Sequence, residues 1–266
     1  MYFSLEWGIY MWSRKELKIR AKAVLKKIYW RALWVSIVIA LAGGTHSWHG
    51  GGSSTSRNSG NNTYSNIHHS NSTDLNFILI GLFIVIIVFA IILAFRIFIG
   101  YHLEVGGRKY FIQSAQYKYN KECFGFAFGG QNYFGIVKTM LLKTVFNFLW
   151  YLLLIIPGII KSYSYRMVPY ILADNPNIGA NRAIEISNEM TAGHKFDMFI
   201  LDLSFIGWYL LGLFAFVIGI LFVLPYANAT EAELYLVLRK NALENHICSY
   251  EELLLNKPII DNNFYI

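Results

Sequence analysis

Apolar and polar positions in this chain fall into long blocks. The strongest apolar block is Phe77 to Phe95, nineteen residues without a charge, close to what a helix needs to cross a hydrocarbon layer. Ile136 to Asp174 is mostly apolar over nearly forty residues, and Phe196 to Leu238 over more than forty. As one straight helix the first of these would measure about 58 Å, roughly twice a bilayer's hydrocarbon thickness. Each block must therefore be broken. Pro157-Gly158 is the natural break in the first, since proline cannot donate to the helical ladder. It leaves one arm over Ile136–Ile156 and a shorter return over Gly158–Ala173, stopped by Asp174-Asn175-Pro176. Gly207, Gly212 and Gly219 divide the second block into about Phe196–Gly212 and Phe214–Leu238, with Pro225 as a kink. The words Trp150-Tyr151-Leu152-Leu153 and Trp208-Tyr209-Leu210-Leu211 recur, which hints at a repeated helix pair.

Upstream, Ser13-Arg14-Lys15-Glu16 is a capping box and starts a helix. Leu17, Ala21, Val24, Leu25 and Ile28 share one face. Lys15, Lys18, Lys22 and Lys26 share another. This spacing predicts a basic amphipathic helix over residues 13–32, lying along a membrane surface and leading into the first span. Lys18, Lys22 and Lys26 are then its lipid-surface contacts, and Trp30 and Trp34 are interfacial aromatics. Leu33–Ala42 is a short span that borrows the Ile28–Leu33 turns. Residues 43–73 are rich in Gly, Ser, Asn, Thr and His and read as a flexible polar outer loop. Tyr101–Tyr133 reads as a polar, basic loop with short interfacial helices. Ala180–Ala192 is an amphipathic helix ended by Gly193. The fold class is all-α: a polytopic helical membrane protein of about six spans with Pro/Gly-broken helices. Its membrane domain covers residues 33–240, and residues 241–266 form a cytoplasmic tail.

Composition sharpens this picture. Of 266 residues, 55% are hydrophobic and only 15% charged, against about a quarter charged in soluble domains. The net charge is +7. The basic residues border apolar runs, so the partners implied are the bilayer and anionic lipid headgroups, and no nucleic acid, for which no motif is present. Cys123 and Cys248 lack metal spacing and are read as free thiols. No cleavable signal peptide is expected, because about thirty residues precede the first apolar run.

Charge also orients the chain. Arg14 to Arg31 holds eight basic residues, which places that side in the cytoplasm. With six spans, Arg108, Lys109, Lys118, Lys121, Arg182, Lys195, Arg239 and Lys240 are all inside, and both termini are cytoplasmic. Four spans would put Lys161, Arg166, Arg182 and Lys195 outside. Five spans follow if Gly158–Ala173 is re-entrant.

Charges within spans are costly and point to function. Lys143, Arg166, Asp202 and Glu233 sit at similar depth, so an intramembrane polar cluster opening to the cytoplasm is one reading. Separate snorkelling residues or ion pairs between helices are the other. Pro157-Gly158 is a hinge or simply the turn of a hairpin. His46, His49, His68 and His69 lie in the polar loop. No Cys and no helical i,i+4 spacing supports ligation there, so no metal is assigned. No cofactor is implied. Hydrolase, zinc-protease, phosphate-loop and dinucleotide motifs are missing, so no catalytic residues are assigned and the chain reads as a non-enzyme.

Several words together resemble a bacterial integral-membrane family catalogued as domain of unknown function 975. They are Ser13-Arg14-Lys15-Glu16-Leu17-Lys18, Tyr29-Trp30-Arg31-Ala32-Leu33, Ile155-Ile156-Pro157-Gly158-Ile159-Ile160-Lys161 and Ile171-Leu172-Ala173-Asp174-Asn175-Pro176. Gly193-His194-Lys195, Leu203-Ser204-Phe205-Ile206-Gly207-Trp208 and Leu224-Pro225-Tyr226 follow in the same order. The resemblance runs from Ser13 to about Leu238. It implies a multi-pass protein of the bacterial cell membrane and carries no established activity or site residues. The expected function is a small permease-like or transport-accessory protein, working with itself or a membrane partner. An envelope scaffold or assembly factor binding anionic lipid is the alternative, and a membrane-embedded lipid-acting enzyme the third.

Overall fold

The computed structural model describes residues 12–43, 71–118, 122–214 and 218–256. Arg57, the four loop histidines, Lys121 and the end of the tail lie outside these. The described residues are helical, with no strand among them. Among the described residues ten α-helices follow in order. They are α1 (Arg14–Leu41), α2 (Asn71–Phe95), α3 (Tyr101–Ala115), α4 (Cys123–Phe128) and α5 (Gly130–Leu153). Then come α6 (Ile155–Ser164), α7 (Val168–Asp174), α8 (Ala180–Met190), α9 (Lys195–Phe214) and α10 (Ile218–Glu244). Among the described residues, two stretches are long and apolar enough to cross a membrane, Phe77–Ala115 and Gly130–Leu153.

Helix α1 begins where the capping box places it. The Ser13 hydroxyl accepts from the Glu16 amide at 3.1 Å, while the Glu16 carboxylate turns to Arg20 instead of closing the box. The expected surface helix and expected first span are one element, kinked at Ile28, whose φ of −128° leaves the helical range. Leu17, Ala21, Val24 and Leu25 are buried, and α1 packs chiefly on α10. The apolar face of residues 13–32 thus rests on protein, where the sequence pattern alone had placed it on lipid. Periodicity shows that a face is buried and is silent on what buries it.

The stretch after Phe95 departs furthest from the expected loop. A π-helical turn, Arg96–Gly100, joins α2 to α3 without a break. Helix α3 is buried along most of its length, including Glu104, Gly106, Gly107 and Arg108. Gly106 and Gly107 are contact points. A Cβ at Gly107 would lie 2.4 Å from Ile39 on α1, and one at Gly106 would lie 3.0 Å from the Cys123 carbonyl at the start of α4. Two glycines in succession let neighbouring elements close onto the helix here.

The α5–α6 break falls at Leu154, whose extended φ/ψ of −160°/142° separates the two helices. Pro157 sits in the first turn of α6, where its missing N–H costs nothing. Gly158 brings α6 against α5: a Cβ there would come within 2.6 Å of the Tyr151 ring. The return arm is interrupted at residues 165–167, so it consists of α6 and α7. Helices α9 and α10 repeat the hairpin, with Gly212 facing the Gly219 backbone at 2.8 Å from its would-be Cβ. Pro225 lies inside α10 without ending it, and the Tyr29 hydroxyl donates to the Phe222 carbonyl nearby at 3.1 Å. The start of the tail folds back: Leu253 is buried, and Arg182 on α8 meets Glu252 at 2.9 Å.

Candidate functional site: a buried charge network

The site grows from the interruption between α6 and α7. Three residues leave the helix there, and α8 ties off the exposed backbone groups. The Met167 amide donates to the Ser187 hydroxyl at 3.2 Å, which donates to the Ser164 carbonyl at 2.7 Å. Thr191 caps the same carbonyl at 3.5 Å. This fixes Arg166, in the middle of the turn and 3% exposed, with its side chain aimed into the bundle.

The Arg166 guanidinium bonds both oxygens of Asp202 on α9, at 2.7 and 2.8 Å. It also donates to Glu231 Oε1 on α10 at 2.5 Å. Planar guanidinium meeting carboxylate side-on is the strong form of this contact. The second oxygen of Glu231 belongs to Arg108 on α3, at 3.2 Å. Arg108 donates further to Asn228 Oδ1 at 2.8 Å and to the Tyr170 hydroxyl at 3.1 Å. Tyr170 donates in turn to Glu231 at 2.9 Å, and Tyr163 to Asp202 at 2.8 Å. Asn228 donates to Ser36 on α1 at 3.0 Å. Two guanidiniums and two carboxylates therefore cancel, and the network joins α1, α3, α6, α7, α9 and α10. A second buried station lies beside it: Asp174 accepts from Tyr235 at 2.5 Å and from Arg239 at 2.8 Å. Breaking one member of such a network costs about 3–5 kcal/mol, because the partner's charge stays buried and unmet.

Of the four residues that the sequence grouped, the structure brings Arg166 and Asp202 into direct contact. It does not bring Glu233 to them. Glu233 lies two residues past Glu231, about 200° around α10, and faces Arg20 on α1 at 3.9 Å. Lys143 on α5 makes no hydrogen bond or ion pair with a described residue, although it is close enough for Glu104, Arg108 and Glu231 to act on its charge. Sequence reasoning missed Arg108, Glu231 and Tyr170; Asn228 was legible as a polar residue able to hydrogen-bond between helices, which it does. One signal was available for α10: Asn228, Glu231 and Tyr235 recur at i, i+3 and i+7, the spacing of one helical face. For Arg108 there was a weaker one, in Tyr101, Val105, Arg108 and Ile112.

The three lysines chosen as lipid contacts are placed differently from one another. Lys18 donates to the Ser204 hydroxyl at 2.6 Å and lies 4.4 Å from the centre of the Phe205 ring. Lys22 lies 5.5 Å from the centre of the Tyr226 ring. Lys26 is exposed on the next turn. His194, buried in the turn before α9, is held below its usual pKa by desolvation, as a packed neutral imidazole would be.

None of the curated proteins and none of the solved structures matches this chain. The model of a family described as "Protein of unknown function (DUF975)" matches residues 126–242. That stretch reaches from the end of α4 to near the end of α10, so it carries Arg166, Tyr170, Asp202, Glu231 and the Pro157-Gly158 word, and over it the resemblance read in the sequence is a family match.

Proposed function

We propose that the chain is a polytopic membrane protein of the assembly type: a charge-locked helical core whose apolar arms meet lipid and membrane partners. The observation that carries this reading is that the charges of the network saturate one another. A site for a moving solute would need charge left over for the solute, whereas Arg108, Arg166, Asp202 and Glu231 spend theirs joining six helices. The arms point the same way: Phe77–Phe95, Leu152–Ile156 and Leu210–Leu211 are exposed and apolar, which is costly in water and favourable in hydrocarbon.

Six crossings, as read from the sequence, would take α1, α2 running on into α3, α5, α6 with α7, α9 and α10, and the charge rule would then set both ends of the chain in the cytoplasm. The Ala42 carbonyl at the end of α1 lies against Gly100, just past the end of α2, which favours α1 packing beside the inner end of α2 over a separate crossing by α1. Trypsin applied from outside should spare Lys195, and a maleimide applied from outside should label Leu154→Cys at the α5–α6 apex. One observation favours a shallower, re-entrant hairpin: Lys161 on α6 and Lys195 at the start of α9 are close enough for their charges to interact. An unlabelled Leu154→Cys would select that version.

The permease-like or transport-accessory reading rests on Lys143, the one member of the expected cluster left without an ion-pair partner among the described residues. Proteoliposomes separate the two roles. A conduit passes small solutes faster than protein-free liposomes, with a rate that Lys143→Gln alters. The assembly reading predicts no such flux, and flux sensitive to Lys143→Gln would overturn it.

A further inference from the structure

A groove of about 490 Å³ runs between α1, α9 and α10. Its size falls within the range of about 300–1,000 Å³ typical of small-molecule sites. Leu25, Trp208, Phe222 and Val223 make it apolar, and Lys22 and Lys26 stand at its edge. We propose that it binds an anionic glycerophospholipid. One acyl chain lies along Trp208, Phe222 and Val223, and the phosphate sits on Lys22 and Lys26.

Several independent features point to this occupant. Lys22 and Lys26 are four residues apart, so their ammonium groups leave α1 on the same side. The Tyr226 ring holds Lys22 at the groove edge. Lys18 is already committed to Ser204 and Phe205, an arrangement that fastens α1 to α9 and leaves the next two lysines to face outward. None of the described residues lining the groove is acidic; on α10, Glu231 is held by Arg108 and Arg166, and Glu233 faces Arg20 across a different groove. The Tyr29 hydroxyl, bonded to the Phe222 carbonyl, closes one wall. Trp30 and Trp34, 69% and 68% exposed, follow one to two turns along α1. Exposed tryptophans and adjacent lysines are what a headgroup level looks like. An apolar slot with paired cations at its mouth fits a lipid with a negative headgroup better than a neutral lipid or a soluble anion, which would leave the slot unfilled.

This inference rests on the membrane reading above, and the two fail separately. Resistance to alkaline extraction tests embedding; lipid choice tests the groove. The experiment is native mass spectrometry of the purified full chain, titrated with phosphatidylglycerol or phosphatidylcholine. Phosphatidylglycerol should be retained preferentially. Lys22→Gln and Lys26→Gln should each lower that preference by about fivefold, the effect of one basic residue at an anionic surface. Lys15→Gln and Lys240→Gln, which remove charge elsewhere, should leave it unchanged. Leu25→Trp should exclude both lipids by filling the slot, with Val223→Phe as the second filler if Leu25→Trp does not fold. The proposal is overturned if the preference survives loss of both groove lysines. It is equally overturned if the control variants lower the preference as much, or if inorganic phosphate displaces the lipid.

Discussion

Helices α2 and α3 are two halves of one continuous rod, and they invert the rule of water-soluble proteins. From Phe77 to Phe95 every side chain of α2 is apolar or small, and all are exposed. From Tyr101 to Ser114, α3 carries His102, Glu104, Arg108 and Ser114, and all four are buried. A single rod with its oily half outside and its charged half inside makes sense when the oily half meets hydrocarbon and the charges meet each other. Neither half would be stable with the surroundings of the other: exposed apolar area is penalised in water, and lone charges are penalised in protein.

The largest expected effect is in the buried half. Glu231→Ala leaves the Arg108 and Arg166 guanidiniums facing each other across a vacated space. It should destabilise the protein by about 3–5 kcal/mol, seen as a large fall in the unfolding temperature of the detergent-solubilised chain. Phe83→Ala on α2, where the side chain is 64% exposed, should leave that temperature nearly unchanged. Equal losses from the two substitutions would abolish the contrast.

Glycines sharpen the same comparison at a smaller scale. Gly81 on α2 has nothing within 4 Å of a would-be Cβ, whereas Gly107 on α3 meets Ile39 at 2.4 Å. Gly107→Ala should cost about 1–3 kcal/mol through overpacking, and Ile39→Ala in the same chain should recover part of it. Gly81→Ala should be neutral or stabilising by up to about 1 kcal/mol, the ordinary gain in helix propensity. Thermal unfolding of the three variants checks both signs.

How much of this was legible in the sequence follows from the same physics. Phe77–Phe95 was plain, because a charge-free run has few alternatives. The hairpin at Pro157-Gly158 was legible from length, although the break itself is at Leu154, since proline favours a helix's first turn and so marks the residue just after a break. The two recurring Trp-Tyr-Leu-Leu words sit at matching places, near the ends of α5 and α9, each before a glycine that lets the return arm close. Helix α3 was not legible. Its glycines and charges have the composition of a loop, and only partners distant in sequence, Ile39, Tyr170 and Glu231, explain why they are buried. For the same reason Arg166 and Asp202 could be suspected of pairing, while Glu231 was passed over for Glu233. Choosing between residues two apart on a helix needs its rotation about its axis, which hydropathy does not report.

The smallest effect is expected away from both halves. Arg182 and Glu252 join α8 to the start of the tail, and the guanidinium holds the Glu252 carboxyl below its usual pKa. A depressed carboxyl pKa stabilises the fold above the ordinary carboxylate range, and that contribution disappears as pH falls through the lowered value. The pair is about one-third exposed, so about 0–1 kcal/mol is the expected size. Unfolding followed from pH 7 down to pH 3 should lose this increment in the wild type and show no such loss in Glu252→Gln.

The central claim is that lipid is the solvent of α2. Its most direct test is a spin label at Ile84→Cys, with Cys123 and Cys248 replaced by serine, in the chain reconstituted into bilayers. Relaxation by dissolved oxygen should be strong and relaxation by a water-soluble nickel chelate weak, as for a side chain in hydrocarbon. Strong relaxation by the nickel chelate at Ile84 would place α2 in water and contradict the account.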